Sequence, residues 1–107
     1  MKVLVDEQLE GMVILLRSAG FDVISVKEKY PSEADDKLAL MAKKEGLVFV
    51  TEDTRAADVA RFHNVELVQI DLVLKAKAVV QALREMEKKG YEPASGENVK
   101  KNNHLII

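Results

Sequence analysis

Four short apolar runs divide the chain, at 2–5 (KVLV), 21–26 (FDVISV), 47–50 (LVFV) and 65–70 (VELVQI). The first and third are almost unbroken in apolar character, as strands covered by helices on both faces are, whereas half-exposed strands alternate. Between the runs the apolar positions take up a helical period. Leu9, Met12, Val13, Leu16 and Ala19 make one stripe, and Gly20 follows as a C-cap. Pro31-Ser32-Glu33-Ala34-Asp35 carries a capping-box pattern, with Ser32 as N-cap and Asp35 three residues on. It predicts a second helix from Ser32 that faces Leu38, Met41 and Ala42 inward and ends at Gly46. A third helix is predicted over 55–63, with Ala56, Val59, Ala60 and Phe62 as its apolar members. The fourth spans 72–89, where Leu72, Ala76, Val79, Leu83 and Met86 recur at alternating spacings of four and three. Asp71 caps it and Gly90 stops it.

Strand and helix therefore alternate as β-α-β-α-β-α-β-α. Short connections in that order predict right-handed crossovers and an α/β fold: a four-stranded parallel sheet between two helix layers, a three-layer α/β/α sandwich. One domain is expected over 1–91, followed by a polar tail over 92–107. The tail, with its Pro, Ser, Gly and Asn, reads as mobile. Its apolar end, Leu105-Ile106-Ile107, fits either an added edge strand, in this subunit or a neighbour's, or disorder.

Composition narrows the classes. At 107 residues, a single domain buries roughly two-thirds of its unfolded surface, enough for a core without disulfides or structural zinc. Cysteine is absent, which removes disulfide frameworks, thiolate zinc sites and thiol catalysis, and fits a reducing compartment. No apolar run approaches the about 18 residues of a spanning helix. The opening MKVLVDEQ passes straight into a strand-like run without the features of a signal peptide, so a cytoplasmic location is expected. Charged residues make up 32% of the chain, yet the signs nearly cancel to −2. A nucleic-acid partner would thus need a local basic patch. Abundant Lys and Glu without Cys or Trp hint at a heat-adapted source.

In open α/β sheets, ligands bind beyond the carboxyl ends of the strands, where the strand order reverses. The first strand runs into Asp6-Glu7, the third into Thr51-Glu52-Asp53 and the fourth into Asp71. Asp35 and Asp36 open the second helix on the same side. If the first and third strands are neighbours, Asp6 and Asp53 face each other across the switch point. Crowded carboxylates repel, and either take up protons at raised pKa or hold a Mg²⁺ or Mn²⁺ ion through oxygen ligands. Such ions generate hydroxide and stabilise charge on a phosphodiester. Lys27, Lys29 and Arg55 are candidate phosphate contacts, or simply exposed solubilising charges. The acids have structural readings too: Asp35 in the capping box, Asp71 as N-cap, and Thr51 tying the turn through its hydroxyl. Asp53 has no capping duty unless it serves the third helix. His63 and His104 form no ligand spacing and read as surface residues, and Lys88-Lys89 as favourable charge at a helix C-terminus.

MKVLVDEQL resembles the opening of small PIN-like proteins of the DUF5615/Mut7-C type, an apolar strand followed by Asp-Glu-Asn-Leu. DDKLALMAKKEGLVFVTED, residues 35–53, resembles their second signature. There an Asp opens a helix, a Gly ends it, and a Val-rich strand leads to Thr-x-Asp. The likeness covers about the first 70 residues in motif order and spacing. Matched position by position it gives Asp6, Asp35, Thr51 and Asp53, with Leu38, Ala42 and Gly46 as framework; Asp6, Asp35 and Asp53 are then the candidate catalytic metal ligands, and Glu7, Asp36, Thr51 and Asp58 the candidate supporting residues. The resemblance implies a PIN-like fold and a metal-dependent nuclease core that cuts single-stranded RNA with Mg²⁺ or Mn²⁺. Such proteins are often the toxin half of a toxin–antitoxin pair, which implies an antitoxin partner, and a homodimer stays open. Two departures stand out. Gln8 replaces the usual Asn, and Thr54-Arg55-Ala56-Ala57 stands where relatives often show a second Asp followed by Phe. Arg55 thus occupies the place of a fourth acid, and Asp58 replaces it only if a helical turn carries it inward.

Three function classes follow. The first is a Mg²⁺/Mn²⁺-dependent endoribonuclease. The second is a non-catalytic PIN-like binding or regulatory module that keeps the scaffold and the acids. The third is a receiver-like phosphoacceptor domain, which also places acids after its first and third strands but needs a Lys after a later strand.

Overall fold

The two unbroken apolar runs take the two central places in the sheet. The computed structural model describes residues 1–90 and 105–107; the expectations for the polar tail and for His104 lie outside them. Within the described residues the strands are β1 (Lys2–Val5), β2 (Asp22–Ser25), β3 (Val48–Thr51) and β4 (Leu67–Gln69). They form one parallel sheet in the order β2-β1-β3-β4. Chain direction across the sheet reverses between β1 and β3, so the switch point lies between those two strands. The helices are α1 (Glu10–Ser18), α2 (Val26–Lys29), α3 (Asp35–Glu45), α4 (Thr54–Phe62) and α5 (Leu72–Lys88).

Residues 1–70 and 71–107 are two compact units. In the first, the two-residue period of the strands sorts side chains between two helix layers. Val3, Val5, Val23 and Val50 point to one face, where Val13 of α1 meets them with Leu9, Met12 and Leu16 alongside. Leu4 and Phe49 point to the other, where Leu38, Ala39 and Ala42 of α3, Ala56 and Ala60 of α4 and Val26 of α2 cover them. This is the α/β/α sandwich that the pattern predicts. The small residues of α3 and α4 let both helices share one sheet face. In the second unit, α5 begins at Asp71, whose Oδ1 accepts from the Val73 N–H at 2.7 Å. Among the described residues no helix is long and apolar enough to cross a membrane.

Five details depart from the sequence pattern. The second run ends as a strand at Ser25, and its last residue, Val26, opens the one-turn helix α2 instead. Ser25 has an oxygen that caps the turn by accepting from the Glu28 N–H at 3.1 Å. The Ser32 capping box does not form: α3 starts at Asp35 with Ala34 as N-cap and no capping side chain. Ser32 instead sits in the left-handed region at φ 59°. Phe62 is 81% exposed, because Ala56 and Ala60 already define the inward line of α4 and Phe62 falls off it. The 4-3 stripe of α5 contributes no buried residue. Leu105–Ile107 lie outside any strand and are exposed.

Candidate active site at the switch point

β1 and β3 pair with Val5 opposite Val50, so the residues that follow them emerge side by side. Asp6 follows β1, and its N–H still donates across the sheet to the Val50 carbonyl at 3.1 Å. Its carboxylate is held twice: Oδ1 accepts from the Glu7 N–H at 2.8 Å, and Oδ2 from the Thr51 hydroxyl at 2.6 Å. Thr51, the last residue of β3, is fully buried. Its oxygen also accepts from the Asp53 N–H at 3.0 Å. One hydroxyl therefore ties the first acid to the backbone of the second. Asp53 serves α4 as N-cap, with Oδ1 accepting from Arg55 N–H at 2.8 Å and Ala56 N–H at 3.4 Å, so the capping duty left open by the sequence is real. Its Oδ2 takes no part in those bonds.

Asp35 joins this pair from the opposite connection as the first residue of α3. Its carboxyl is pushed above its ordinary 3.8 by partial burial first and then by the charges of Asp53 and Asp6; Arg55 opposes the shift and Asp36 adds to it. The charges of Asp6, Asp53 and Arg55 all act on the Asp35 carboxyl. A positive charge thus stands where the family resemblance expects a fourth acid.

The supporting residues divide. Glu7 stays at the site, where its Oε1 accepts from the Ser32 N–H. Asp36 turns away to His63, with 3.3 Å between Oδ1 and Nε2. His63 is therefore not a free surface histidine: it closes α4 and its side chain is largely covered. Asp58 pairs with Arg61 at 2.8 Å on the exposed side of α4 and does not replace the missing acid. Lys27 and Lys29 are exposed on α2, with the Lys29 Nζ 5.6 Å from the Tyr30 ring centre. Asp71 acts as a cap in the second unit. Two residues escaped the sequence reading: Ser25, buried at the end of β2, donates to Glu10 Oε2 at 2.5 Å. Their only signal was position, a hydroxyl ending a strand and an acid four residues after Asp6.

The donors at the switch point are carboxylate oxygens, a hard set suited to Mg²⁺ or Mn²⁺ and unsuited to softer ions. Their mutual repulsion at Asp35 is what a divalent cation would relieve. Among the described residues, no three His, Asp or Glu side chains are gathered closely enough to ligate one ion. The fit lies in charge and donor type.

The fold and this site define an α/β protein with an acidic centre at the switch point of a parallel sheet. The family model described as the Mut7-C RNAse domain matches residues 1–101, and the chain belongs to that family. No curated protein and no solved structure matches it.

Proposed function

We propose that the chain is an endoribonuclease that cuts single-stranded RNA using Mg²⁺ or Mn²⁺ held by Asp6, Asp35 and Asp53. The observation that carries this reading is the Thr51 hydroxyl that ties the Asp6 carboxylate to the Asp53 backbone at the carboxyl ends of β1 and β3, in a chain whose family is described as an RNAse domain. When bound, such an ion lowers the pKa of water and offsets charge developing on a phosphodiester. The protein's own part is positional. Thr51 aims Asp6, the first N–H groups of α4 aim Asp53, and α3 delivers Asp35. Arg55 faces the phosphate, with Lys27 and Lys29 as further contacts to the RNA backbone. A role as the toxin of a toxin–antitoxin pair, with an antitoxin partner, belongs to this reading through the family resemblance.

Purified protein with Mn²⁺ is expected to cleave single-stranded RNA, and Asp6→Asn to abolish cleavage while keeping a cooperative melt. Undiminished cleavage by Asp6→Asn would refute the assignment. Arg55 at the fourth-acid position favours a second reading, a module that binds metal or RNA without turnover. Mn²⁺ binding with no cleavage of any single-stranded RNA would select it. The receiver-like reading loses ground because β4 runs into Gln69-Ile70-Asp71, with no Lys there.

A further inference from the structure

Asp6 follows β1 and Asp35 opens α3, so how the two are placed depends on what holds the long β2–α3 connection against the segment after β1. Two carboxylates that follow β1 hold that connection, residues 26–34, one directly and one through Ser25 at the end of β2: Glu7 in the 3₁₀ turn and Glu10 at the start of α1. Glu7 accepts from the Ser32 N–H, three residues before Asp35. Glu10 accepts from the buried Ser25 hydroxyl at 2.5 Å, and the same hydroxyl accepts from the Glu28 N–H at 3.1 Å. α2 is held from α1 as well. Arg17 reaches Glu28 at 3.2 Å and the Val23 carbonyl at 3.0 Å.

We propose that Glu7 and Glu10 are positioning residues, a two-carboxylate bracket that fixes the β2–α3 connection and thereby sets Asp35 against Asp6 and Asp53. Neither needs to touch the reacting atoms. Ser32 supports this division of labour: a non-glycine residue persists in the left-handed region only when its surroundings over-determine it, and the Glu7 contact is one such surrounding. The 3₁₀ turn over Glu7–Leu9 explains why both acids reach the same connection. Three residues per turn stack residues three apart on one side, and Glu7 and Glu10 stand three apart.

The bracket rests on the metal-site reading for its functional consequence and on geometry for its existence, and two measurements separate the parts. In the metal-free protein, amide hydrogen exchange at Ser32 should rise about tenfold or more in Glu7→Ala and stay near wild type in Glu7→Gln, whose amide oxygen still accepts. Glu10→Ala should do the same to Glu28. Unchanged exchange at both amides in the alanine variants, with the fold intact by its melt, overturns the bracket whatever the enzyme does. Mn²⁺ affinity is then read by calorimetry. Outer-shell partners of metal ligands are worth about 10–100-fold in affinity, so Glu7→Ala should weaken Mn²⁺ by about tenfold and Glu7→Gln by less than about twofold. Equal loss in both variants would make the Glu7 charge itself a ligand and overturn the positioning role. Absence of Mn²⁺ binding in the wild type would strike the proposed function, while exchange would still decide the bracket.

Discussion

Thr51→Val tests how the site is held together. Valine keeps the shape of threonine and removes only the hydroxyl, which donates to Asp6 Oδ2 at 2.6 Å and accepts from the Asp53 N–H at 3.0 Å. A hydrogen bond to a charged group contributes about 1.5–3 kcal/mol, and a donor left without a partner costs about 1–2 kcal/mol more. The added methyl returns about 0.8 kcal/mol, because the site is fully buried. The net expectation is a loss of about 2–4 kcal/mol, or a fall in Tm on the order of 10–20 °C for a domain of this size. Thr51→Ser is the control: it keeps the hydroxyl, loses a methyl, and should cost only about 1 kcal/mol. Urea and thermal unfolding of the three proteins decide between bonding and packing. If Thr51→Val proves as stable as Thr51→Ser or more so, the hydroxyl is not what holds Asp6 to Asp53.

Asp53 combines capping with chemistry, and substitution can part them. Asp53→Ala should cost about 1–2 kcal/mol through loss of the α4 cap, whereas Asp53→Ser keeps a capping oxygen and near-native stability; both should lose Mn²⁺ binding by calorimetry. Asp35 gives a pH test in metal-free buffer. Its folded pKa lies above its unfolded one, so its contribution to stability is fully present below the unfolded pKa and is lost as pH rises through the folded pKa. The stability of Asp35→Asn relative to wild type should therefore improve from pH 3 to pH 7, as followed by urea midpoints, and a flat difference would deny the crowding. Gly46 closes α3 at φ 66° with open space around it, so Gly46→Ala should cost about 1 kcal/mol through backbone strain alone, read from the denaturant midpoint.

The sheet was readable in the sequence because burial on two faces leaves a clear mark: KVLV and LVFV are apolar but for Lys2 at the exposed start of the first, and they supply the central strands. Once β1 and β3 are neighbours, the residues after them emerge side by side, so the nearness of Asp6 and Asp53, joined through Thr51, was readable too. The rest depended on long-range contacts that local patterns do not carry. Ser32 has the right spacing for a capping box, yet the Glu7 carboxylate takes its N–H and the loop turns left-handed before α3 begins. Ser25 and Glu10 bond across fifteen positions, and His63 finds Asp36 across twenty-seven. Phe62 has the apolar character of a core residue, but Ala56 and Ala60 leave it on the outside of α4. Local periodicity describes elements well, whereas partners chosen by tertiary folding appear only when the elements are assembled.

Anomalous diffraction from crystals soaked in Mn²⁺ tests the central claim most directly. The predicted result is a peak among Asp6, Asp35 and Asp53, with the Asp6 carboxylate still bonded to Thr51. A saturating soak that leaves this position empty, or places the ion elsewhere on the chain, would contradict a metal centre at the switch point.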